Sequence, residues 1–207
     1  MALHKISDRI RAAATEHLNR DGATPFIIVD LDEAAKAYAV FRRELSRVQP
    51  YYAVKANPDR PLLRLFRDMG SGFDVASLGE IEMLVGPPAA GPGGPGGLGV
   101  HPGRLIFANP VKRADAIARA VELGVRLFTA DCHEELDKIH RVADELGVDD
   151  VQVLIRMWVP NFGSVVDLSS KFGADEEQIP ELFRHAREQK LRLRVRGLAF
   201  HVGSQCI

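Results

Sequence analysis

Six short apolar runs recur along this chain, and a stretch of helical periodicity separates each from the next. The runs are YYAVKA at 51–56, GFDVAS at 72–77, RLIFAN at 104–109, VRLFTA at 125–130, VQVLIRM at 151–157 and LAFHV at 198–202. Runs that are apolar on both parities suit strands covered on both faces, and a helix between successive strands is the connection a parallel pair requires. The expected class is therefore α/β. Upstream, a first helix is expected over about 6–20, a strand over Pro25–Asp30, and an amphipathic helix begun by Asp32. The later helices should start near Pro61, Leu78, Arg113, Cys132 and Asp175, with Asp59, Ser77 and Asp131 as N-caps. Ser77 and Glu80 have capping-box spacing.

A doubly wound sheet and a barrel share this alternation. Polar residues near several different strand ends, rather than around one crevice, favour the (β/α)8 barrel. Such a barrel takes roughly 250 residues, whereas this chain has 207 and stops after its sixth candidate strand. The expectation is a TIM-like barrel with about six of its eight strands: an N-terminal helix over 1–24, then a partial barrel over 25–207. Two open strand edges would invite pairing with other chains, which argues against a stable monomer. Residues 86–103, GPPAAGPGGPGGLGVHPG, interrupt the rhythm with eight glycines and five prolines. Gly91, Gly93 and Gly96 formally match a dinucleotide fingerprint, but prolines remove amide donors and the strand-before, helix-after context is missing. A flexible surface insertion is the expected reading.

Composition narrows the function classes. At 46% hydrophobic and 27% charged the chain has the balance of an ordinary globular domain. A formal net charge of −1 and the lack of a long basic block give no reason to expect nucleic acid or an anionic membrane surface as partner. No apolar run is long enough to span a bilayer and no signal-like segment opens the sequence, so a cytoplasmic protein is expected. Cys132 and Cys206 lie far apart without metal-ligand spacing, which suggests reduced thiols and no metal site.

Function must then reside in a site. On strand parity, Tyr51, Ala53 and Lys55 share a face, and a lysine at that strand's C-terminal end is either an amine at the mouth of a barrel or a side chain whose stem covers apolar surface. Asp74, on the next run, can supply a counter-charge to Lys55 or serve as a turn residue. Arg156 ends VQVLIRM as a site guanidinium or as a paired structural one. His201 can stack on a planar ring or sit as a satisfied core residue. The amides near Gly203 and the Ser204 hydroxyl can hold a phosphate oxygen. Converging on one rim, these groups suit a planar, phosphorylated, carbonyl-bearing cofactor, and neither a G-x-S-x-G elbow nor an H-E-x-x-H metal motif is present.

The segments YYAVKANPD, GFDVASLGEIE, RLIFANPVK, SSKFGA and LAFHVGSQC, in this order, resemble those of the fold-type III pyridoxal phosphate decarboxylases, closest to the bacterial ornithine branch. The resemblance runs from about Pro25 to Cys206, apart from the glycine-rich stretch and WVPNFGSVVD. It implies an alanine racemase-like barrel and pyridoxal 5'-phosphate as cofactor, with Lys55 as its covalent anchor. Asp74 would stand beside that lysine, Arg156 near the cofactor ring, His201 stacked on the ring and Ser204 on the phosphate, with Ala53 beside Lys55 on its strand. Glu80 matches an acid near the site and Lys171 a lysine near a dimer interface. The implied reaction is α-decarboxylation of a small basic amino acid, L-ornithine to putrescine in polyamine biosynthesis, by a homodimer in full-length form. The alternatives are a diaminopimelate or lysine decarboxylase of the same family, or a non-catalytic binding homologue. The last two barrel strands and the family's C-terminal β domain are not expected within these residues, so an inactive fragment is a further alternative.

Overall fold

A computed structural model describes residues 6–20, 22–86, 96–160, 163–166 and 171–206. Two helices come first, α1 (Asp8–Arg20) and α2 (Leu31–Glu44). The strands β1 (Tyr51–Ala53), β2 (Gly72–Val75), β3 (Leu105–Phe107), β4 (Leu127–Ala130), β5 (Gln152–Arg156) and β7 (Arg194–Ala199) then alternate with α3 (Arg60–Asp68), α4 (Leu78–Val85), α5 (Ala114–Glu122), α6 (His133–Glu145) and α7 (Gln178–Glu188). A separate antiparallel pair, β6 (Ser164–Val166) with β8 (Ser204–Cys206), lies outside the main sheet.

The six strands of the main sheet are all parallel and follow chain order, β1-β2-β3-β4-β5-β7. A doubly wound sheet reverses order at its switch point, whereas an order without reversal is that of a barrel wall. The structure thus bears out the expected incomplete α/β barrel, with β1 and β7 as its edges.

Strand alternation gives the wall two faces. Phe73 and Val75, Leu105 and Phe107, Phe128 and Ala130, and Val153 and Ile155 are all buried. They form one core with apolar side chains of α3 to α7, among them Leu63, Phe66, Ile81, Leu84, Ile117, Leu136, Ile139 and Leu182. Leu136, Ile139 and Ala143 show why α6 forms: their spacing of three and four stacks them on one stripe, which the sheet buries. Residues of the opposite parity, Asp74, Ile106, Leu127, Thr129, Leu154 and Arg156, turn to a concave face. A bulge between Val153 and Leu154 resets the register with β7, so that Leu154 pairs with Gly197 and Arg156 with Ala199.

Several expected boundaries move. Residues 26–30 form no strand, because no sheet neighbour takes their backbone: β1 pairs only with β2, and Ile27 is 88% exposed. Asp30, not Asp32, begins α2, its carboxylate accepting from the Asp32 and Glu33 amides. The last run is a strand over Arg194–Ala199 rather than 198–202, which leaves His201 beyond the strand end. Cys132 occupies the N-cap of α6, and Asp131 instead accepts a bond from the Gly173 amide at 2.9 Å. Ser77 caps α4 as expected, but Glu80 reaches back to the Ala76 amide (2.6 Å), one residue beyond the N-cap amide of the usual box.

Of the glycine- and proline-rich stretch, residues 87–95 lie outside the described residues. The remainder corrects the expected linker: the Leu98 and Val100 amides bond to the Met83 and Leu84 carbonyls, and both side chains are buried. Gly97 packs so closely on Gly86 that a Cβ there would lie 2.1 Å from the Gly86 carbonyl oxygen.

Candidate functional site

The concave face encloses a cavity of about 580 Å³ at the C-terminal ends of the strands. That is the end where a barrel places its variable loops, and hence its chemistry. Lys55 follows β1, Asp74 stands one residue from the end of β2, Arg156 is the last residue of β5, and His201 follows β7; all four line the cavity. The sequence therefore selected the polar residues that the fold brings together.

How Lys55 arrives differs from the parity argument. β1 stops at Ala53, and Val54–Ala56 form a 3-10 turn that buries Val54 and leaves Lys55 exposed on the rim. Lys55 is thus delivered by a turn, and Ala53, though half-buried on β1, is not among the lining residues. Tyr51 reaches the concave face because Gly72, its register partner, has no side chain: a Cβ there would lie 2.6 Å from the Tyr51 ring.

Burial pushes the Asp74 carboxyl above its ordinary range; Lys55, His201 and Arg156 oppose the rise, and Glu80 adds to it. Burial likewise works against the charge of Arg156, which Asp131 and Asp74 support. His201 is pushed down by burial and by the positive charges of Arg156 and Lys55, against a smaller pull from Asp74. The Gly203 amide donates to His201 Nδ1 at 2.8 Å, which assigns the remaining proton of a neutral ring to Nε2.

Apart from His201, the charged groups of this cavity make no polar contacts among the described residues. No hydrogen bond or ion pair engages the side chains of Lys55, Asp74 or Arg156 among the described residues. Thr129 Oγ1, on the same wall, is buried without a hydrogen-bond partner among the described residues. Buried polar and charged groups are ordinarily paired, so a set left open around one cavity is arranged for a ligand. Anionic and cationic side chains together fit a ligand carrying both signs.

Glu80 and Lys171, like Ala53, stand apart from the cavity wall. The Glu80 carboxylate is spent on the Ala76 amide and faces the site only through its field on Asp74. Lys171 is exposed and off the cavity wall. Ser204 begins β8, and its side chain lies outside the described residues. The sequence reading missed Asn109, Pro110, Thr129 and Phe172 on the wall. Asn109, Pro110 and Phe172 belong to segments it had singled out, RLIFANPVK and SSKFGA, but nothing in their residue types marks them as site residues.

Residues 31–207 match a family model described as pyridoxal-dependent decarboxylase, pyridoxal binding domain. The chain belongs to this decarboxylase family. The chain is 40% identical over 184 residues to a lysine/ornithine decarboxylase of Selenomonas ruminantium, an alignment covering 89% of the chain and 42% of the relative. An ornithine decarboxylase of Caenorhabditis elegans is 35% identical over 195 residues, with 94% and 42% covered. Among solved structures, an arginine decarboxylase of Paramecium bursaria Chlorella virus superposes with a TM-score of 0.80 at 31% identity, covering 93% of this chain and 48% of that one. The decarboxylase-family chain thus spans less than half the length of these relatives. The family's cofactor, pyridoxal 5'-phosphate, matches the open donor set in kind: an amine for its aldehyde and charged groups of both signs around a cavity of small-molecule size.

Proposed function

We propose that this chain forms the cofactor-binding half of a pyridoxal-phosphate-dependent α-decarboxylase of basic amino acids, with L-ornithine to putrescine and carbon dioxide as the reaction. The observation that carries the reading is the set Lys55, Asp74 and Arg156 around one cavity at the strand ends, their side chains without a hydrogen bond or ion pair among the described residues, with His201 beside them. Similarity to lysine/ornithine and ornithine decarboxylases supports the substrate class.

Lys55 is assigned as the residue that holds the cofactor covalently and yields that place to the substrate amine. Its position in a short turn on the rim gives the amine room to swing between the two states. Asp74 supplies negative charge near that nitrogen, and because burial makes it hard to ionise, it can hold a proton there at a pH where a surface aspartate would not. His201, kept neutral by its surroundings, offers an uncharged ring face for stacking. Arg156 contributes a positive charge that makes no ion pair with a carboxylate among the described residues, Asp131 and Asp74 acting on it only through their fields. Ser204 is kept as the phosphate-binding residue, since the Gly203 amide already serves His201. Glu80 tunes Asp74 through its charge. Lys171, exposed beside the site loop, is assigned to an interface between two copies. When bound, the pyridine ring of the cofactor serves as electron sink for the pair left at Cα as carbon dioxide departs.

The test incubates the chain with pyridoxal phosphate, reduces with borohydride and maps the label by peptide mass. A phosphopyridoxyl group on Lys55, lost in Lys55→Ala, is expected; an unlabelled chain would sink the cofactor assignment. Product analysis of the longer polypeptide with ornithine, lysine, arginine and diaminopimelate then reads the substrate, with putrescine as the expected main product.

A further inference from the structure

Arg156 is held in an unusual way for a half-buried guanidinium. Its one close partner among the described residues is the ring of Phe172, whose centroid lies 5.1 Å from Arg156 Cζ. Phe172 also lines the cavity, on the segment that follows β6. That segment is pinned on the C-terminal side of Phe172. The Ala174 amide donates to the Arg156 carbonyl at 2.9 Å, the Trp158 amide donates to the Ala174 carbonyl at 2.7 Å, and Met157 and Ala174 form a parallel bridge. The Gly173 amide donates to Asp131 Oδ2 at the end of β4. Gly173 has a φ of +106°, and a Cβ there would lie 2.6 Å from the Trp158 amide nitrogen. A glycine is what allows the loop to lie this close to β5.

We propose that Phe172 and Asp131 are positioning residues: Asp131 fastens the loop, and the Phe172 ring, held by that loop, aims the Arg156 guanidinium across the cavity. The physical point is what the ring does not do. A carboxylate partner would orient the guanidinium and also neutralise it, occupying two of its donors. An aromatic face orients the cation through its quadrupole and leaves both the full charge and the edge N–H groups available to an anionic or aromatic ligand. Asp131 supports the charge through its field, and its Oδ2 accepts the Gly173 amide.

His201 is the reporter, because the charge of Arg156 is one cause of its depressed pKa. Its titration can be followed by NMR in the 207-residue chain, assigned by comparison with His201→Gln. Arg156→Gln sets the full effect of removing the charge. Phe172→Leu, which keeps apolar bulk without the ring, is expected to move the His201 pKa upward, part of the way to the Arg156→Gln value, while Phe172→Tyr stays at wild type. Asp131→Asn is expected to shift it in the same direction as Phe172→Leu. A His201 titration unchanged in Phe172→Leu, or equally changed in Phe172→Tyr, overturns the proposal. A second readout rests on the cofactor reading above: pyridoxal phosphate should bind Phe172→Leu about three- to tenfold more weakly than wild type, the scale of one cation–π contact. A wild-type chain that fails to bind pyridoxal phosphate would refute that reading alone, and the titration would still decide the role of Phe172.

Discussion

At the scale of single residues, Asp74 has the clearest energetic signature. Its carboxyl is harder to ionise in the folded chain than in the unfolded one, chiefly because folding removes it from water. Between the unfolded value, about 3.9, and the raised folded value, the folded state binds the extra proton. Stability from this group is therefore fully present below the unfolded pKa and is lost as pH rises through the folded one. At neutral pH the burial that raises this pKa is a net cost to the folded state. Asp74→Asn should thus raise the Tm of the cofactor-free chain at pH 7 by about 2–4 °C and shrink the gain to nothing near pH 3, as read by calorimetry across pH. A lower Tm at pH 7 would mean that attraction to Lys55, Arg156 and His201 outweighs burial. A residue whose substitution stabilises the empty protein while impairing function is what a site group should show.

At the scale of elements, β3 and β4 meet through a short backbone pairing. Their pairing covers only Ile106 with Leu127 and Phe107 with Phe128. Beyond that point a side chain takes over: Lys112 Nζ donates to the Asn109 carbonyl at 2.9 Å and to the Thr129 carbonyl at 2.6 Å. Both residues line the cavity. The ammonium is fully buried and paired with Glu135 at 2.9 Å, which also meets Lys138 at 2.5 Å. Burial lowers the Lys112 pKa, and Glu135 opposes the shift. Lys112→Met leaves the carbonyls without their donor and Glu135 short of a partner, a loss of about 3–5 kcal/mol in urea unfolding. With Glu135→Gln added, the double variant should lose less than the sum of the singles; strict additivity would remove the ion pair from the account.

At the scale of the whole molecule, an open wall replaces a closed cylinder. Among the described residues β1 and β7 each leave one side unpaired in the main sheet, and in and just after β7 the apolar Leu198, Phe200 and Val202 are 48%, 62% and 46% exposed. An unpaired strand edge flanked by apolar side chains is a template for other chains. Sedimentation velocity of the 207-residue chain should accordingly show species heavier than the 22.8 kDa monomer. Leu198→Lys should shift the distribution toward monomer, and a sharp monomer peak for the unsubstituted chain would contradict the argument. Among the described residues, no helix is long and apolar enough to cross a membrane.

Periodicity alone determined the class of this protein, since apolar runs of strand length joined by helices admit few arrangements, and polar residues at the ends of those runs named Lys55, Asp74, Arg156 and His201. The strand at 25–30 was misread because an apolar run becomes a strand only when a neighbour takes its backbone, and no run states its own neighbour. Strand order, which separates a barrel wall from a doubly wound sheet, is likewise set by pairing between distant segments. Phe172 and Asp131 stayed invisible for the same reason: their significance is a ring beside a guanidinium and a carboxylate beneath a glycine amide, contacts across 16 and 42 positions of sequence. Local chemistry is written along the chain, while the direction in which a charge points depends on what the folded backbone packs against it.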